Sequence, residues 1–101
     1  MMFKKKFTTS TVAAEIPLDI QLLIYSMIET WKAQKKELDY LQVFELSIAN
    51  VNGQHVQKII HRQEQPPRKT EALFKVETPI NERLWVVDSS EGAVMMKPEE
   101  Y

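Results

Sequence analysis

The side chains best suited to chemistry near neutral pH are the two histidines, His55 and His61, because imidazole changes charge there and is a common metal ligand. Both fall on one predicted strand, six positions apart, or roughly 20 Å at ~3.3 Å per residue, whereas the ligands of one zinc ion sit about 2 Å from it. They do not share a metal, and neither a metal nor any other cofactor is expected. His61 has other company, since the predicted pairing puts Gln42, Phe44, His61 and Gln63 on one face, with Tyr40 two residues further along. Amides and imidazole supply donors and acceptors beside aromatic walls, so Tyr40, Gln42, His61 and Gln63 form a candidate ligand-binding cluster. The plain alternative is a polar rim of the core.

That pairing rests on Asn52-Gly53, a dipeptide preferred by two-residue type I′ turns, where both positions need positive φ. A turn there makes one hairpin of Leu38 to Glu64, with Phe44 opposite His61 and Leu46 opposite Ile59. The other face carries Glu45 diagonal to Lys58 and Arg62, a spacing for cross-strand ion pairs, together with Leu41, Val43, Val51, Val56 and Ile60. It is more apolar than a solvent face requires, and which face is inner stays open.

The alternation of Phe3, Phe7, Thr9 and Thr11 with polar neighbours predicts an opening strand. Pro17 suits a first helical turn, and no glycine or proline interrupts Leu18 through Asp39, which predicts one helix ending near Lys36. At 100° per residue, Ile16, Ile20, Leu23, Ile24, Met27, Ile28 and Trp31 form a stripe facing a sheet. Leu18, Leu22 and Tyr25 fall almost opposite and form a second ridge, a candidate interface unless another segment covers it. Gln65 to Lys69, with two consecutive prolines, reads as an exposed loop. Strands follow at Ala72 to Val76, at Leu84 to Val87 as a central strand covered on both faces, and at Ala93 to Lys97 after a Ser89 to Gly92 turn. The fold class is therefore α+β: one amphipathic helix on a mostly antiparallel sheet of about five to six strands, in the order β-α-β-β-β-β-β.

A chain of 101 residues fits a single domain, and its apolar fraction of 44% and charged fraction of 27% are those of globular proteins. The absence of cysteine removes disulfides, thiolate zinc sites and thiol nucleophiles, and points to a cytoplasmic location. Thr8 to Thr11 stand where a secretion signal would need an apolar run, and Pro17, Asp19 and Gln21 break the apolar stretch near Ile20, so no membrane span is expected. A net charge of −1 draws the chain to neither nucleic acid nor anionic lipid. Lys4 to Lys6 and His61 to Lys69 are locally basic, but Glu64 and Glu71 accompany the second group, so nucleic acid is not an expected partner. Gly53 and Gly92, the sole glycines, are both used in turns, which leaves no phosphate loop, and none of the serines stands in a nucleophile elbow.

Three stretches carry a resemblance: Glu15-Ile16-Pro17 with Gln21-Leu22, Leu38 to Leu46, and Ile60 to Pro66. With Trp85-Val86-Val87-Asp88 and the ending Pro98-Glu99-Glu100-Tyr101, the chain resembles a family of small uncharacterised proteins from staphylococci and related Gram-positive bacteria. The resemblance implies a bacterial cytoplasmic origin and brings no reaction or site residue with it. The expected function is a non-enzymatic module that binds a protein partner or itself through the Leu18, Leu22, Tyr25 ridge or the outer hairpin face. The rival expectation is a small-ligand sensor or enzyme using the cluster at the open end of the hairpin.

Overall fold

Asn52 and Gly53 both adopt positive φ, 51° and 82°, and the hairpin they close has the expected alignment. A computed structural model describes residues 3–101; Met1 and Met2, part of the basic opening segment, lie outside it. Strand β2 (Leu41–Val51) runs antiparallel to β3 (Gln54–Gln63), with Phe44 facing His61 and Leu46 facing Ile59. Because a two-residue turn is closed by a hydrogen-bonded pair, Val51 and Gln54 exchange backbone bonds. Alternation along the ladder then makes Phe44 and His61 a closely spaced, non-bonded pair.

Before the hairpin come β1 (Lys6–Thr8), α1 (Ser10–Glu15) and α2 (Leu18–Ala33); after it come β4 (Arg68–Phe74), β5 (Glu82–Ser89), β6 (Gly92–Met96) and a 3-10 turn at Pro98–Glu100. The strands form one six-stranded sheet in the order β1-β6-β5-β2-β3-β4, antiparallel except where β1 meets β6. This is the α+β architecture expected, with one short helix added.

The added helix replaces the second half of the predicted opening strand. Thr9 accepts a hydrogen bond from the Val12 amide at 3.2 Å, so a residue whose branching favours a strand acts here as a helix cap. The long helix stops at Ala33, short of Lys36, because Lys35 takes a left-handed φ of 59°. Lys35 N donates to Lys32 O and Lys36 N to Trp31 O, the two bonds of a Schellman ending, here without the usual glycine.

Two further expectations are corrected. Pairing resumes at Arg68, opposite Gln63, so the predicted loop of residues 65–69 shrinks to a turn and β4 begins within it. Strand β5 is central, but only Leu84 and Val86 are fully buried; on the opposite face Trp85 and Val87 are half-buried, with Tyr101 edge-on to Trp85 at 5.5 Å.

Helix α2 settles which face is inner. Ile20, Ile24 and Ile28 pack over Phe44, Leu46, Ile59, Leu84, Val86 and Met95, and Trp31 over His61, while Leu41, Val43, Val56 and Ile60 lie on the outer face. There Glu45 meets Arg62 at 3.6 Å and Arg83 at 3.8 Å, and Lys58 meets Glu71 at 3.3 Å. Gly92 is required by close approach: its φ is 144°, and a Cβ would stand 2.7 Å from the Phe7 ring and 2.9 Å from Lys5 O.

Gln57, fully buried on the inner face, joins the loop before β5 to the hairpin. Its amide donates to Ser47 O at 3.0 Å and Ile80 O at 2.9 Å, and its oxygen accepts from Ile80 N at 2.8 Å. Gln57→Leu leaves Ile80 N and Ile80 O without those partners, while Ser47 O keeps its ladder bond to Lys58, and is expected to cost about 2–3 kcal/mol in urea unfolding. A loss below ~0.5 kcal/mol would show that the groups find other partners.

Candidate functional site

Three of the four cluster residues meet, and they meet inside the protein. Gln42 on β2 and His61 and Gln63 on β3 point inward from facing strands, and Trp31, in the last turn of α2, lies over them. His61 sits between two rings, 3.7 Å from the Trp31 centroid and 4.3 Å from that of Phe44, with interplanar angles of 17° and 15°. The non-bonded pairing of Phe44 with His61 brings those two side chains close enough to stack.

The polar atoms form a chain of hydrogen bonds with defined directions. Gln42 Nε2 donates to Asp39 O and to Gln63 Oε1, each at 2.8 Å. Gln63 Oε1 also accepts from Asp39 N at 3.0 Å, and Gln63 Nε2 donates to Glu37 O at 3.0 Å and Pro66 O at 2.8 Å. With the Gln42 amide nitrogen so engaged, its oxygen is the acceptor for His61 Nε2, 2.6 Å away. His61 is therefore protonated on Nε2, and its bare Nδ1 is buried without a partner.

Burial pushes the His61 pKa down to about 3, because a charged imidazolium there would have no water. A proton added at Nδ1 would also create a second donor without an acceptor. The side chain is thus a neutral aromatic member of the core across the physiological range, and its polar edge is used to hold Gln42. Through Gln42 and Gln63 the network fastens both the segment before β2, at Glu37 and Asp39, and the turn before β4, at Pro66.

The ligand-site expectation is corrected on access. Gln42 and His61 have no exposed surface and Gln63 only 4%, so the residues form a buried scaffold and present nothing to solvent. Tyr40 stands apart, half exposed, with its hydroxyl beside that of Tyr101, a contact that raises its pKa. The signal for burial was the aromatic position Trp31 at the end of the helical stripe, but its seat over His61 depends on how α2 docks. Arg68 was also missed: its guanidinium lies 5.6 Å from the Trp31 ring, and its Nε is buried without a partner.

The second ridge is corrected at one residue. Leu18 and Leu22 are 67% and 62% exposed, whereas Tyr25 is buried. Its ring reaches sideways to the β1 edge, where the hydroxyl donates to Phe7 O at 2.8 Å, and burial pushes its pKa up to about 12. Among the described residues, no three His, Cys, Asp or Glu side chains are grouped to hold a metal ion, and no helix is long and apolar enough to cross a membrane.

Among curated proteins none matches the chain. A crystal structure of a protein of unknown function from Enterococcus faecalis is similar in fold, with a TM-score of 0.75 over 96% of this chain and 90% of that one, at 19% identity. A family model described as a staphylococcal protein of unknown function (DUF960) matches residues 5–100, and on that match the chain belongs to the DUF960 family.

Proposed function

We propose that the protein is a non-enzymatic binding module that takes a protein partner through the outward ridge of α2. The observation that carries this reading is the contrast between the two sequence-selected groups. The polar cluster is consumed in the core, whereas Leu18 and Leu22, one helical turn apart, expose most of their apolar surface. Burying a leucine fully contributes roughly 1.5–3 kcal/mol, so two side chains about two-thirds exposed offer a compact anchor for an apolar partner surface.

The reading is tested with the double variant Leu18→Glu, Leu22→Glu. Both positions face away from the core, so its unfolding free energy should stay within ~0.5 kcal/mol per site of the parent. Immobilised parent protein should retain a partner from Gram-positive bacterial lysate that the double variant does not. If parent and double variant retain the same proteins, the ridge is not the contact.

A further inference from the structure

We propose that β4 is a self-pairing edge, and that two copies of the chain join antiparallel through residues 68–72 about a two-fold axis at Thr70. Of the two edges of the sheet, β1 has three residues, while β4 has seven. The ladder fixes which β4 backbone groups are free. With Val51 and Gln54 a bonded pair, the even-numbered residues of β3 bond to β2 and its odd-numbered residues to β4. Facing partners then give Arg68, Thr70, Ala72 and Phe74 to β3, and leave the N–H and C=O of Lys69, Glu71 and Leu73 pointing outward. No backbone hydrogen bond from another described element reaches them.

An unpaired edge is a template for another strand, and natural proteins guard such edges with charge. A single lysine here would be a guard. Instead Lys69 and Glu71 occupy successive outward-facing backbone positions, and one two-fold register turns them into attraction. Pairing about Thr70 sets Lys69 opposite Glu71 of the second copy and Glu71 opposite Lys69 of the second copy, both as hydrogen-bonded pairs. Pairing about Glu71 would set that carboxylate against itself, and pairing about Ala72 would set Lys69 against Lys75. Charge complementarity therefore selects both the occupant, a second copy, and its alignment.

The surroundings fit a neighbouring strand. A groove of about 280 Å³ beside β4 is lined by Met27, Thr30, Trp31, Ala72 and Phe74. On the opposite face Leu73 is 55% exposed, and the two-fold register sets it opposite Pro67 of the second copy. This contact is separate from the Leu18 and Leu22 ridge, so the ridge variant leaves it intact.

Two measurements test it on the full chain. In sedimentation across a concentration series the parent should dimerise, and Lys69→Glu should weaken the dimer about tenfold by opposing like charges. The double swap Lys69→Glu, Glu71→Lys should restore it, since the exchanged charges again face their opposites. A double swap as weak as the single variant, or a parent monomeric at every concentration even if it binds an extended peptide, overturns the proposal. Second, the chain has no cysteine, and a non-bonded pair on the axis brings Cα atoms to about 4.5 Å, within disulfide reach. Thr70→Cys should cross-link under mild oxidation well before Leu73→Cys does. Equal rates overturn the alignment.

Discussion

Between pH 6.5 and pH 3 the protein should lose several kcal/mol of stability, and the slope should be traceable to His61. In the unfolded chain the imidazole takes up a proton below about 6.5. In the folded chain burial holds its pKa near 3, so over that window the unfolded state binds more protons and stability rises with pH. The contribution is present in full above 6.5 and disappears as pH falls toward 3, at up to ~1.4 kcal/mol per pH unit. His61→Phe removes the titrating group while filling the place between Trp31 and Phe44. It leaves Gln42 Oε1 without its donor, at a cost of about 1–2 kcal/mol. The variant should therefore be less stable than the parent at pH 7 and more stable at pH 4. Urea titrations at half-unit pH steps would show the two curves crossing, and parallel curves would mean that His61 titrates alike in both states.

Removing Trp31 should do still more damage at neutral pH. Trp31 is 3% exposed, stacks on His61 and lies under the Arg68 guanidinium. Truncation of a buried tryptophan costs about 3–5 kcal/mol, a large share of the roughly 5–15 kcal/mol that holds an ordinary domain together. Trp31→Ala should also admit water to the imidazole and move its pKa up toward 6.5, which an NMR titration of the His61 ring protons would follow. Trp31→Phe, which keeps a ring in place, should retain most of the stability and the low pKa. A loss under 1 kcal/mol in Trp31→Ala would show that the helix end contributes little to covering the network.

How far the residues foretold these arrangements depended on the range of the forces involved. The hairpin alignment was legible because Asn52-Gly53 is a local backbone requirement, and one turn fixes every pair on both strands. The α2 stripe was legible for the same kind of reason, a period inherent in the helix. The resemblance to a staphylococcal family, read from three stretches together with Trp85 to Asp88 and Pro98 to Tyr101, agrees with the DUF960 match over residues 5–100. Thr9 was misread because its branching and its hydroxyl favour different structures, and the hydroxyl prevailed by capping Val12. Tyr25 was misread because helical angle alone ignores the length of a phenol that can reach a neighbouring strand. For the cluster, the sequence correctly grouped Gln42, His61 and Gln63, since register alone decides that. Whether they face a hollow or the core depended on the docking of α2, a long-range event that pairing rules do not specify.

The parallel contact of β1 with β6 has a consequence for how the chain is made. Among the described residues, the strand partners of residues 6–8 are residues 93–95, and Thr9 is held at both its amide, by Met95 O, and its hydroxyl, by Glu100. Translation at roughly 5–20 residues per second leaves the first strand without its neighbour for on the order of ten seconds. The three-strand meander from Leu41 to Phe74 needs only nearby turns and can assemble while the nascent chain is still growing. Seating of the amino-terminal segment is then a late step, since it waits for residues 93–95.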